Sequence, residues 1–283
     1  FRPDISSMFD RELEEGMKGE LARRGENHAL RLTLDEQLTL PRLESRSQLL
    51  TALDRVRREV DASGMMKAMD QFHQQAAGIL TSGRLAEALD LSREDPANIA
   101  RYTMTRSLAG EQSSTSEGPD SPRKLLLARR LIEAGARMVS VSISDFDTHS
   151  KNFPRMQNLM PIVDHALATF VADLKERGML DDVLIIAWGE FGRTPKVNSS
   201  GGRDHWPKVG PCLLAGGRLP GGLVIGETDR TASEVTSRPV TYKDIFTVLY
   251  RHLGIDARGI TLTDPQGRPQ YILDEGAVPP ELG

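Results

Sequence analysis

A single cysteine, Cys212, stands in 283 residues, which excludes an internal disulfide framework and any cysteine-based zinc cluster. It does not identify a compartment, because a chain without disulfides is at home on either side of a membrane. Positive charge is not in excess either: 36 Lys and Arg stand against 40 Asp and Glu, a net charge of −4 with a pI near 5.9. A broad nucleic-acid footprint wants a strongly basic face, so nucleic acid is not the expected partner. No apolar run approaches the roughly 18 residues of a membrane span. The chain opens on Phe1 without a charged segment leading into an apolar one, so the expectation is a removed leader or the C-terminal part of a longer protein. What remains, 39% hydrophobic and 27% charged residues, is an ordinary globular balance over about two domains' length.

The first hundred residues read as helices. Leu49, Leu50, Leu53, Val56 and Val60 form a helical stripe, and Met65, Met66, Met69, Phe72, Ala76, Ile79 and Leu80 continue the period as a core face. Leu85 to Leu91 is a shorter helical piece. Residues 108–121 are small and polar and read as a linker, because such a stretch buries too little apolar surface to offset its ordering entropy. The expected organisation is therefore a helical cover over 1–107, a loop over 108–121 and an α/β part over 122–283.

In that last part, Ser121-Pro122 reads as a helix start, and Gly135 as its stop. Arg137 to Ile143 reads as a strand, and Ile162 to Leu174 as an amphipathic helix closed by Gly178. Val183 to Trp188 is a continuous apolar run, the pattern of a strand covered on both faces. Pro211 to Ala215 and Leu223 to Ile225 read as two more strands. Thr241 caps a helix ended by Gly254. Helices alternating with strands predict an α/β sheet with helices on both faces. Cys212, within an apolar strand, reads as a small buried hydrophobe.

Ligands of open α/β sheets bind beyond the carboxyl ends of the strands. After Ile143 come Asp145, Asp147 and His149, alternating by two, so that in extended chain they share one side. After Trp188 come Glu190 and Arg193; a glycine-rich loop then carries Arg203, Asp204 and His205. Carboxylates mixed with imidazoles suit a divalent metal, zinc first, with manganese, iron or calcium as alternatives. Arg193 or Arg203 offers a planar fork to a tetrahedral anion. Other pairs carry less. Asp164-His165 lies inside a helix, where neighbours diverge. His28 and His73 have no partner at metal spacing, and His252 falls in the last turn of a helix, where a cation favours the dipole. Gly216-Gly217 and Gly221-Gly222 form a turn, not a phosphate loop, since no Gly-Lys-Ser/Thr follows. Trp188 and Trp206 either wall the site or pack the core.

These residues carry a resemblance. Asp147-Thr-His149 with Asn152-Phe153, Gly189-Glu-Phe-Gly-Arg-Thr-Pro195, Gly202-Arg-Asp-His-Trp-Pro207 and Leu214-Ala-Gly-Gly217 resemble the bacterial DUF1501 family, itself similar to the alkaline phosphatase/sulfatase superfamily. The resemblance covers residues 122–275 well and the helical segment more loosely. It implies an alkaline-phosphatase-like doubly wound sheet, present in part and preceded by the helical segment. It also implies a metal held by Asp147, His149 and His205, with Glu190 and Asp204 as further metal candidates and Arg193 clamping the substrate anion. Glu190 is followed by Phe191 where the superfamily has a histidine, and Asp145 stands where a glycine-type residue is expected. The superfamily's first metal-binding Asp and its nucleophile would lie upstream of Phe1, and the sulfatase Cys-x-Pro-x-Arg signature is absent, Cys212 being followed by Leu-Leu-Ala. The implied activity is metal-dependent hydrolysis of a small phosphate or sulfate ester in an exported, periplasmic protein. The alternatives are a non-catalytic module binding a metal, an anion or a glycan, and a cofactor-independent phosphomutase.

Overall fold

The computed structural model describes Ser45, residues 83–105 and residues 117–283. The stripes at 49–60 and 65–80, with His28 and His73, and residues 108–116 of the expected linker lie outside the described residues. The chain divides into two compact units: described residues 83–103 and 123–142 belong to the first, and 104–105, 117–122 and 143–283 to the second.

The first unit contains α1 (Arg84–Leu89), a 3-10 turn (Leu91–Arg93), α2 (Pro96–Arg101) and α3 (Arg123–Glu133). Asp95 caps α2 by accepting from the Ala97 amide, and Pro96 follows at the position where a missing N–H costs nothing. The interior of this unit is partly ionic. Arg129 is 1% exposed; it meets Glu94 at 2.7 Å and Glu133 at 3.1 Å, and Arg130 reaches the same Glu94 oxygen at 2.9 Å. Burial pushes the Glu94 carboxyl up, but hydrogen bonds from Asn98, Arg130 and Arg129 outweigh burial and hold it down to about 2. A carboxyl depressed in the folded state contributes stability that is present above its unfolded value and lost as pH falls through its folded one. Acid titration between about pH 4.5 and pH 2 is therefore expected to loosen this unit, by on the order of 2 kcal/mol for Glu94. In Glu94→Gln, far-ultraviolet dichroism followed against pH should lose that acid step; an unchanged step would assign it to other carboxyls.

The second unit opens with an irregular stretch and then α4 (Asn152–Glu176), which buries Leu159, Ile162, Ala166, Phe170 and Leu174 along one side. The helix starts ten residues before the apolar period becomes visible. Pro154 falls in its first turn, where amides have no intrahelical partner, so it does not obstruct the start. Pro161 is tolerated inside the helix. The chain leaves α4 through Gly178 at φ 68°, with the Met179 amide donating to the Leu174 carbonyl, a turn that needs left-handed backbone.

Strands β1 (Leu184–Trp188) and β4 (Cys212–Gly216) pair antiparallel with Trp188 opposite Cys212, and β2 (Gly192–Arg193) pairs β3 (His205–Trp206) between them in sequence. Two further antiparallel pairs follow, β5 (Glu227–Thr228) with β6 (Val235–Ser237), and β7 (Thr261–Thr263) with β8 (Pro269–Tyr271). Between them lies α5 (Tyr242–His252), opened by a capping box in which Thr241 and Asp244 exchange hydrogen bonds with each other's amides. Helices thus mix with short antiparallel pairs, an α/β class without a closed barrel among the described residues.

Four expectations need correction. Arg137 to Ile143 forms no strand, and neither does Leu223 to Ile225. Both have strand-like composition, but no described neighbour completes a ladder with either, and an isolated extended segment is not stable as a sheet. Cys212 is exposed, not buried, because β4 leaves its first two residues open to solvent. Nor is the run from Val183 to Trp188 covered on both faces: β1 pairs only β4 among the described residues, Ile185 alone in it is buried, and Trp188 stays 39% exposed, edge-on to Tyr242 and Phe246 of α5 at 5.2 and 5.5 Å. No described helix is long and apolar enough to cross a membrane.

Candidate metal centre

Two loops of the second unit are laced together by their backbones. The amides of Lys151 and Asn152 donate to the carbonyls of Ser200 and Gly201, and the Arg203 amide donates to the Thr148 carbonyl. Asn198 sits at the crossing. Its amide nitrogen donates to the His149 carbonyl at 3.0 Å and to Asp204 Oδ1 at 3.2 Å, while its oxygen accepts from the amides of Ser200 and Gly202. Thr148, 1% exposed, donates to Asn152 Oδ1 at 2.6 Å and turns inward, which leaves its neighbours Asp147 and His149 facing out.

The β2–β3 pair brings the third component. Arg193 lies directly opposite His205 in the register, so the guanidinium and the imidazole come to one place. Phe191 stacks obliquely on His205 with ring centroids 4.3 Å apart. The outcome is three donor atoms, two from one loop and one from strand β3. Asp147 Oδ1 is 3.0 Å from His149 Nε2 and 2.9 Å from His205 Nε2, and the two histidine nitrogens are 3.1 Å apart. All three side chains are about half exposed, between 48% and 50%.

Asp204 does not join this triangle. It accepts from the opposite ring nitrogen, His149 Nδ1, at 2.8 Å. That bond assigns the ring proton to Nδ1 and leaves Nε2 as a lone pair in the neutral imidazole. That lone pair lies 3.0 Å from Asp147 Oδ1 and 3.1 Å from His205 Nε2, within reach of a cation placed among the three atoms. A carboxylate behind a histidine whose other nitrogen faces a metal is the usual outer support of such a ligand. Asp147 is poised accordingly. The hydrogen bond from His205 lowers its carboxyl, burial opposes that, and the Arg193 guanidinium at 2.8 Å adds to the lowering, to about 2. The hydrogen bond from His149 likewise keeps Asp204 below the usual carboxylate range. Both are anions across the physiological range.

The other expected residues fall elsewhere. Glu190 is exposed just past β1, with its backbone carbonyl and that of Gly189 within 2.6 and 2.7 Å of the Tyr242 hydroxyl, and its carboxylate is outside the donor triangle. Asp145 adopts φ 69°, the left-handed backbone for which a glycine-type residue was expected, and faces Arg155 at 4.0 Å. Arg203 turns back to the carbonyls of Thr194 and Pro195. Asp164 and His165 lie within α4, and His252 in the last turn of α5, where its Nε2 lies 3.2 Å from the Asp182 carbonyl. Asn198 escaped the sequence pattern altogether: a lone loop asparagine has no periodicity to mark it.

Replacing Asp204 by asparagine keeps the shape but removes the charge behind His149. The expected result is a roughly 10- to 100-fold weaker affinity for divalent metal, read by calorimetric titration, with about the same thermal midpoint. Unchanged affinity would remove Asp204 from the support of the site.

The family model described as Protein of unknown function (DUF1501) matches residues 16–282. The chain belongs to the DUF1501 family. No curated protein and no solved structure matches it. All the loops that build the centre fall inside the matched span.

Proposed function

We propose that this DUF1501 protein is a divalent-metal-dependent hydrolase of phosphate or sulfate esters. The observation that carries the proposal is the convergence of Asp147 Oδ1, His149 Nε2 and His205 Nε2, with one nitrogen held as a lone pair by Asp204. The donor types fit a first-row dication, with zinc, manganese and iron the candidates and calcium less suited to imidazole. When bound, such an ion polarises the ester oxygen and lowers the pKa of water. The chain's own residues do the rest. Asp147 and the two histidines hold the ion, and Asp204 and Asn198 orient His149. Arg193, 2.8 Å from Asp147 Oδ1, presents a cation to the substrate's non-bridging oxygens. The motif resemblance supports placing the site on an alkaline-phosphatase-like doubly wound sheet and in an exported protein.

The test is hydrolysis of phosphate monoesters, phosphate diesters and sulfate esters by the metal-loaded full-length protein. Turnover that is lost in Arg193→Gln, with metal retained, is the expected outcome. A full-length protein that holds its metal but turns over none of these esters would sink the hydrolase reading. A second reading, a non-catalytic module, is favoured by one observation: the donor triangle is open to solvent and Glu190 adds no carboxylate to it. It predicts that inorganic phosphate or sulfate binds to the metal-loaded protein while no ester is cleaved.

A further inference from the structure

The segment that carries Asp147 is pinned at both ends, and its upstream pin is a buried carboxylate. Glu117 is 2% exposed and belongs, with Ser144, to the second unit. Its Oε1 accepts from the Ser144 amide at 2.7 Å and from the Ser144 hydroxyl at 2.8 Å. Glu117 stands at the end of the stretch expected as a linker, where the chain is itself held. The Gly118 amide donates to the Ser121 hydroxyl, the Met104 amide donates to the Pro119 carbonyl, and Pro122 is fully buried. The downstream pin is Thr148, whose hydroxyl bonds Asn152 and whose carbonyl accepts from the Arg203 amide. Between the pins, Asp145 adopts φ 69°. Left-handed backbone is unfavourable for a residue with a side chain, and it persists where the surrounding structure fixes the chain.

We infer that Glu117 is a positioning residue of the metal centre: through Ser144 it keeps Asp145 left-handed, and so fixes where Asp147 presents its carboxylate to His149 and His205. The inference rests on the metal reading given above. One of the two clamp bonds comes from the Ser144 amide, so the clamp holds backbone and not only a side chain. Without it, Asp145 is free to relax into ordinary extended backbone, which turns the chain leading to Asp147 and takes one donor away from the other two. Glycine adopts a φ of this sign without strain, so Asp145→Gly should make the clamp dispensable.

The experiment titrates Zn(II), and Mn(II) beside it, into the purified chain by calorimetry, well below the thermal midpoint of every variant, so that the affinity of folded protein is read. The variants are Glu117→Ala, Ser144→Ala, each of them combined with Asp145→Gly, and Asp147→Ala as the control for the site. Glu117→Ala is expected to weaken binding about 10-fold, as loss of an outer support does. Ser144→Ala should weaken it less, because the amide bond remains, and Asp145→Gly should recover most of the affinity in either background. Wild-type affinity in Glu117→Ala, or in Ser144→Ala should the former not fold, would overturn the positioning role and leave the metal centre standing. A loss that Asp145→Gly does not recover would overturn the route through Asp145. Binding of neither ion, or binding unchanged in Asp147→Ala, would overturn the metal reading and this inference with it.

Discussion

Replacing His205 by alanine is expected to weaken divalent-metal binding by about 100-fold or more, which exceeds what loss of an outer support costs. Two of the triangle's three edges end on His205 Nε2, so the substitution leaves a two-donor remnant. It also removes the largest cause of the lowered Asp147 carboxyl, but Arg193 still neighbours that oxygen and keeps it an anion near neutral pH. The substitution is therefore a loss of ligand and not a loss of charge. His205 is about half exposed, and its backbone pairing with Arg193 does not depend on the ring, so the thermal midpoint of the metal-free chain should move little. Calorimetric titration and metal content after dialysis against a chelator read the effect. Metal retained at wild-type affinity would show that the ion sits elsewhere.

The site was more legible in the sequence than the sheet. Asp147 and His149 stand two apart, the spacing that the sequence reads as one shared side; in the structure they do face one place, but through a tight turn in which the Thr148 amide donates to the Phe146 carbonyl and not through extended chain. The inward turn of Thr148 between them is the same fact seen from the other side. His205 was legible because a short glycine-rich loop carries it back past a strand end. Asp204 illustrates the limit. Its residue type marks a ligand, and only the position of its carboxylate, on the far nitrogen of His149, makes it a support. Asn198 has no such marker, since its work is done through hydrogen bonds to backbone that is distant in sequence.

For the fold, continuous apolar runs located β1 and β4, and glycines located the ends of α3, α4 and α5, because both signals are local. The stretch from Arg137 to Ile143 was misread for the opposite reason. Strand formation is decided by a partner, and composition does not name the partner. Likewise Pro154 and Pro161 hid the first ten residues of α4, although the first costs nothing at its position in the opening turn.

The second large effect is expected at a residue with no side chain. A Cβ added at Gly202 would lie 2.0 Å from both the carbonyl carbon and the oxygen of His149, and 2.4 Å from the Ser150 nitrogen. These are backbone atoms, so no rotamer change relieves the contact, and one of the two laced loops must move. The bonds lost with that movement are the ones that define the site: the Arg203 amide to Thr148, the Asn152 amide to Gly201, and Asn198 to the His149 carbonyl. Overpacking of this kind costs about 3 kcal/mol or more where the neighbour is rigid. Gly202→Ala is therefore expected to lower the denaturation midpoint and to abolish metal binding together, though it touches none of the three donor side chains. Gly201→Ala is the control. Its φ of 70° makes alanine strained, but the nearest atom to its added Cβ is 3.9 Å away, so the loops stay laced and most of the metal affinity should survive. Equal metal loss in the two variants would mean that the glycine pair acts through backbone conformation. Loss at Gly202 alone would show that the close approach of the two loops brings His149 and His205 within one ion's reach.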